Sequence, residues 1–246
     1  MLHQPCTRLL SGAETAVLFV HGILGTPDHF IPFLSLVPPE DSVINLLLEG
    51  HGGSVRDFSA ASMDRWKQQV CKALQTLRAD HNRVVIVAHS MGTLLALQEA
   101  VKEPVAALFL LNVPLSVRPT LQLLPTVRAD CRRPSPLDDQ RLLAARNACS
   151  IQQDPRFWRY LGWVPRYAEL FSEIGRTRKL VQSLTVPCYA YFSLKDEMVS
   201  PKSAGFLAGT PSITVKTLAD SGHFYYAPED LRLLQADFSH MLHPLP

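Results

Sequence analysis

Three things are missing from this sequence, and each absence removes a class of function. No CxxC pair or zinc-ligand spacing is present: the five cysteines, Cys6, Cys71, Cys131, Cys149 and Cys188, are scattered, and an odd number cannot all pair within one chain. Free thiols in a reducing compartment are expected, without a metal. Charge of one sign is not in excess, since 24 basic against 22 acidic residues leave a net +2. That is too little to gather nucleic acid or an anionic membrane, and small neutral ligands fit better. No uncharged apolar run reaches the roughly 20 residues of a spanning helix. The first residues, Met1 to Arg8, also lack the apolar stretch and cleavage site of a secretory signal. A cytoplasmic protein without stable membrane insertion is the expectation.

What is present is apolar material in the right pattern. Hydrophobic residues make up 47% of 246, enough for one sizeable core. Ala16–Val20 is a continuous apolar run rich in β-formers that stops at His21-Gly22, as a strand buried on both faces of a parallel sheet does. Ser42–Leu48 ends at Glu49-Gly-His-Gly-Gly53, where glycines allow a sharp turn. Trp66, Val70, Leu74 and Leu77 fall at helical spacing behind Ser62 as the cap.

Val84–Ala88 then breaks at His89-Ser-Met-Gly92 and runs into the helix-prone Thr93–Ala100. Ala106–Asn112 reads as another buried strand. The pattern resumes with Cys188–Phe192, a helix capped by Ser200 with Pro201 in its first turn, the strand Ile213–Leu218, and a helix from Pro228 whose Glu229 and Asp230 suit its positive end. Such alternation predicts an α/β fold with a mostly parallel, doubly wound sheet. From about 115 to 184 the alternation is lost. Prolines, the arginines 128, 132, 133, 141 and 146, and the aromatics Phe157, Trp158, Tyr160, Trp163, Tyr167 and Phe171 stand there instead. That stretch predicts a helical cap insertion, with 1–114 and 185–246 as the core domain. The aromatics fit either an ordinary helical core or an apolar acyl pocket.

Acyl transfer at neutral pH needs an activated hydroxyl, a base, a group that holds the base, and donors aimed at the oxyanion. Ser90 lies between strand and helix, where a tight turn pushes its hydroxyl out above the sheet. Asp196 follows the predicted strand Cys188–Phe192, and His223 follows the predicted strand Ile213–Leu218. In an open α/β sheet, C-terminal strand ends all face one crevice. Glu197, beside Asp196, and Asp220, three residues before the histidine, are the rival carboxylates; the strand-end position favours Asp196. His21, His51 and His89 show no metal-ligand spacing and read as loop-packing residues.

Ala88-His-Ser-Met-Gly92 resembles the nucleophile elbow of the α/β-hydrolase family, G-x-S-x-G, with Ala88 in place of the first glycine. Leu194–Val199 resembles the family's acid-bearing turn, Asp220–Phe224 its histidine loop, and His21-Gly-Ile-Leu-Gly25 its oxyanion loop. The resemblance covers the chain from about Ala16 onward, apart from the cap. It implies the α/β-hydrolase fold, Ser90 as nucleophile, His223 as base, Asp196 as its orienting acid, and the backbone N–H groups of Ile23 and Met91 as the oxyanion hole. A serine at position 90 sets aside the branches with Asp or Cys there and leaves ester, thioester or amide cleavage, or acyl transfer. With Glu49-Gly-His-Gly52, the motifs look most like small carboxylesterases and monoacylglycerol lipases. A cofactor-free esterase acting on small-molecule esters is expected, with acyltransferase or thioesterase as the alternative and a non-catalytic binding protein behind both.

Overall fold

The computed structural model describes residues 3–118 and 140–242. Among them, seven strands form one sheet: β1 (Cys6–Arg8), β2 (Thr15–Val20), β3 (Ser42–Asn45), β4 (Arg83–His89), β5 (Ala107–Leu111), β6 (Cys188–Ser193) and β7 (Ile213–Leu218). Their spatial order is β1-β3-β2-β4-β5-β6-β7. All pairings are parallel except that of β1 with β3. The α/β-hydrolase fold expected from the sequence is the one observed.

Strand periodicity explains the two layers. Ala16, Leu18 and Val20 of β2 face the same side as Val84, Ile86 and Ala88 of β4 and Leu108 and Leu110 of β5. Val17, Phe19, Val85, Val87, Phe109 and Leu111 face the other. Side chains alternate across a strand, so an unbroken apolar run supplies both faces at once. Helices α3 (Met63–Asp80) and α4 (Met91–Lys102) cover the first face. The second is covered by Phe30 and Phe33, of which Phe33 belongs to the short helix α1 (Ile31–Leu34), and by Leu234 and Phe238 of α8 (Pro228–Leu242).

The differences from the sequence reading have local causes. β1 has three residues and exists through its ladder to β3, too short for any period to register. β3 ends at Asn45 rather than Leu48; the apolar residues 46–48 continue past the ladder. Ser62 caps α3 as expected, its side chain accepting from Arg65 N. The regular helix after β6, α7 (Lys202–Leu207), starts one residue after the helical Pro201, and Ser200 Oγ makes the expected contact with its first turn, accepting from Lys202 N at 3.3 Å. A further short helix, α2 (Val55–Ala60), carries a capping box between Ser54 and Asp57.

The stretch from 140 to 184 holds helix α5 (Gln140–Ala148), a 3-10 turn over Phe157–Trp163, and α6 (Val164–Leu180). Of its aromatics, Trp163 is buried and Tyr160 and Tyr167 pack on the core, whereas Phe157, Trp158 and Phe171 are exposed. The cluster is thus neither one core nor one pocket. Buried Glu173 of α6 ties this stretch to the core helices: Gln98 Nε2 donates to it at 2.7 Å and Lys67 Nζ at 3.3 Å. Cys131 and the arginines 128, 132 and 133 lie outside the described residues. Cys6, Cys71, Cys149 and Cys188 are free thiols. Among the described residues, no helix is long and apolar enough to cross a membrane.

Candidate active site

The elbow after β4 is built by two glycines and held by a threonine. Ser90 has φ 51° and ψ −126°, a backbone region that an L-residue enters only under strain. A Cβ on Gly92 would lie 2.2 Å from the Val20 carbonyl oxygen, and one on Gly22 would lie 2.8 Å from Ser90 Cβ. No larger residue permits these approaches. Thr93 donates from its backbone N–H (2.9 Å) and its hydroxyl (2.6 Å) to Ser90 O, fixing the first turn of α4.

The acid-bearing turn follows β6. Asp196 Oδ1 accepts from the N–H groups of Met198 (2.7 Å) and Val199 (2.6 Å), which leaves Oδ2 to face the histidine loop. His223 Nδ1 lies 2.7 Å from Asp196 Oδ2, and its Nε2 lies 3.0 Å from Ser90 Oγ. A carboxylate only accepts, so Nδ1 carries the ring proton and Nε2 offers its lone pair to the serine hydroxyl. Ser90, Asp196 and His223 are 7%, 4% and 1% exposed.

The rival carboxylates go elsewhere. Asp220 is exposed and accepts from Lys195 Nζ at 2.5 Å, and that lysine holds its carboxyl below the usual range. Glu197 accepts the backbone N–H of His223 at 2.9 Å. It touches the same histidine as Asp196, but through the main chain.

The loop after β2 makes a tight turn in which Gly25 N donates to Gly22 O at 3.0 Å and Leu24 takes φ 58°. His21 holds it from below. Its Nε2 accepts from Leu48 N at 3.0 Å, so Nδ1 carries the proton and donates to Gly22 O at 2.8 Å. Leu24 O accepts from Ser150 N at 2.9 Å, which ties the 140–184 stretch to this turn. Ile23 sits inside the turn. Met91 is the first residue of α4, and first-turn amides have no partner within their own helix.

Histidines crowd the site, and burial keeps His21, His29, His51 and His89 neutral. Rings of His29 and His89 are 4.0 Å apart, those of His89 and His223 4.8 Å, and those of His21 and His51 4.7 Å. Burial pushes His21 down to about 4 and His29 to about 3, and it pushes His51 and His89 well below the ordinary value. Among the described residues, no group of three His, Cys, Asp or Glu side chains is arranged to hold a metal ion.

Several supporting residues escaped the sequence reading. Asn112, at φ 54°, donates from Nδ2 to His223 O at 3.3 Å, while its Oδ1 accepts from Ser193 N at 2.9 Å. Asp230 accepts from Ala219 N, Asp220 N and Ser221 Oγ. Only its place in the first turn of α8 signalled it, and that signal pointed to the helix dipole rather than to the loop.

Comparison with known proteins agrees with this architecture. Residues 17–234 match the model of the Alpha/beta hydrolase family. No curated protein sequence matches the chain. Solved structures similar to it include one from the metagenome-derived lipolytic enzymes LipS and LipT (17% identity, TM-score 0.73, covering 98% of this chain and 97% of that one). Another is the monoacylglycerol lipase of Paleococcus ferrophilus (13%, 0.70, 98% and 99%). A third comes from the carboxylesterases of the thaumarchaeon Nitrososphaera gargenis (16%, 0.68, 98% and 96%). At such identities the likeness is one of fold. With the family model matched over most of its length and the sheet order and elbow described above, the chain belongs to the alpha/beta hydrolase family.

Proposed function

We propose that this protein is a serine hydrolase that cleaves carboxylic esters, of short to medium acyl length or monoacylglycerol-like, through an acyl-enzyme intermediate. The observation that carries the reading is the position of His223, 3.0 Å from Ser90 Oγ on one ring nitrogen and 2.7 Å from Asp196 on the other. Ser90 Oγ attacks the ester carbonyl as His223 Nε2 takes its proton, and the imidazolium that forms is stabilised by Asp196. Collapse of the tetrahedral intermediate breaks the bond to the leaving alcohol, which receives that proton from His223. Water, deprotonated by the same nitrogen, then attacks the acyl-Ser90 carbonyl, and the acid leaves as Ser90 recovers its proton.

Negative charge on the carbonyl oxygen is met by the N–H groups of Ile23 and Met91, each worth about 3–4 kcal/mol in comparable sites. The segment 115–184 acts as the cap that shapes the acyl pocket. No cofactor enters any step.

Ser90→Ala is expected to fold, to lose turnover of short p-nitrophenyl esters by several orders of magnitude, and to resist a fluorophosphonate probe that labels the wild type. Wild-type activity in that variant would remove Ser90 from the mechanism. A panel of esters, thioesters and amides of graded acyl length then ranks the substrate classes.

A further inference from the structure

The base must be carried a long way across the sheet. β5 and β6 lie between β4, which ends at Ser90, and β7, which precedes His223. With neighbouring strands about 4.8 Å apart, the histidine loop crosses roughly 14 Å of sheet edge to reach the serine. No ladder supports that crossing, yet its buried peptide groups need partners. The His223 carbonyl finds two. His89 Nε2 lies 2.9 Å from it, and Asn112 Nδ2 lies 3.3 Å away. Both donors are 1% exposed. His89 stands at the end of β4, immediately before Ser90, and Asn112 stands one residue beyond β5.

We infer that His89 and Asn112 are positioning residues that grip the main chain of His223 and so set the reach of its imidazole to Ser90. A carbonyl only accepts, so His89 carries its proton on Nε2, and burial keeps the ring neutral. Its ring also lies against His29, whose Nε2 is 2.9 Å from the Tyr226 hydroxyl. One residue thus links the nucleophile's own turn to the backbone of the base. Asn112 does a second job: its Oδ1 accepts from Ser193 N, three residues before Asp196. The left-handed φ of 54° at Asn112 suits asparagine, aspartate or glycine.

This inference rests on the serine-hydrolase reading above, and the test separates the two. His89→Phe keeps the ring's bulk and removes the donor, whereas His89→Gln offers a neutral N–H at similar reach. Measured per folded molecule, His89→Phe is expected to lower kcat and the fluorophosphonate labelling rate together by about 10- to 100-fold with KM within about threefold. His89→Gln should recover most of that loss. Asn112→Asp keeps the acceptor for Ser193 N and the backbone preference but loses the donor, and serves if His89→Phe does not fold; at least about a tenfold loss of labelling is expected. Wild-type labelling and kcat in His89→Phe or, where that variant does not fold, in Asn112→Asp would overturn the inference, as would His89→Gln performing no better than His89→Phe. A wild-type protein inert to the probe would instead remove the hydrolase reading beneath it.

Discussion

At the scale of single residues, position 90 stores strain that its side chain does not relieve. With φ 51° and ψ −126°, any residue bearing a Cβ is held in a region where only glycine is at ease, at a cost of about 1–3 kcal/mol. Ser90→Ala and Ser90→Gly both lack the hydroxyl and its contact with His223, so the difference between them isolates the backbone. Glycine gives back some of its advantage through the entropy of the unfolded chain. The expected outcome is that Ser90→Gly is the more stable of the two by about 1 kcal/mol, read from urea denaturation. Equal stabilities would mean that the surrounding turn has relaxed around the alanine.

Residue identity made part of this site legible. The small residues around Ser90, set between an apolar run and a helix-prone one, announced the elbow, because only such a turn needs Gly92. Asn112 gave no comparable sign. Its role depends on which carbonyl passes over the end of β5, and nothing within a few residues of Asn112 encodes that.

Among elements, the loop between β7 and α8 is held by side chains. Asp230, in the first turn of α8, accepts from Ala219 N (3.1 Å), Asp220 N (2.9 Å) and Ser221 Oγ (2.7 Å). Ala227 N in turn donates to Ser221 Oγ at 3.1 Å. Asp230→Ala strands these donors, so a loss of about 1–3 kcal/mol in denaturant unfolding is expected, with a fall in fluorophosphonate labelling as the histidine loop loosens. Asp230→Asn retains one accepting oxygen and should fall between the wild type and alanine. An alanine variant as stable and reactive as the wild type would show that the loop is held from elsewhere.

Element boundaries were legible where capping chemistry marked them, as Ser62 does for α3. The start of α7 moved by one residue, past Pro201, while Ser200 kept its contact with Lys202 N. β1 left no sequence signal, since three residues complete no period, and the six residues of α2 were marked only by the capping pair Ser54 and Asp57.

Across the whole molecule, buried neutral histidines make stability depend on pH. His21 and His29 take a proton only near pH 4 and pH 3 in the folded state, against 6.5 for a free imidazole, and His51 and His89 are shifted in the same direction. Below 6.5 the unfolded chain therefore binds more protons than the folded one, and stability falls as pH falls. One pH unit below 6.5, His21 and His29 each cost on the order of 1 kcal/mol, and His51 and His89 act in the same direction, against the roughly 5–15 kcal/mol of a typical domain. Urea midpoints are expected to be flat between about pH 7.5 and 8.5 and to drop steeply from pH 6.5 toward 5. A flat profile through pH 5 would mean that these rings are hydrated or paired.

Alternating apolar runs and helical spacing were enough, by themselves, to determine the mostly parallel sheet and its covering helices, because burial on two faces imposes local periods that a reader can count. The resemblance of the segments after three of those strands to the motifs of the α/β-hydrolase family pointed to Ser90, Asp196 and His223. Only the tertiary structure decided which carboxylate meets the imidazole ring and which meets its backbone. It also decided which aromatics of 157–171 are buried, and which side chains hold the histidine loop over three strand ends. Those outcomes depend on contacts between residues up to 134 positions apart, as between His89 and His223, and such pairings leave no period in the chain.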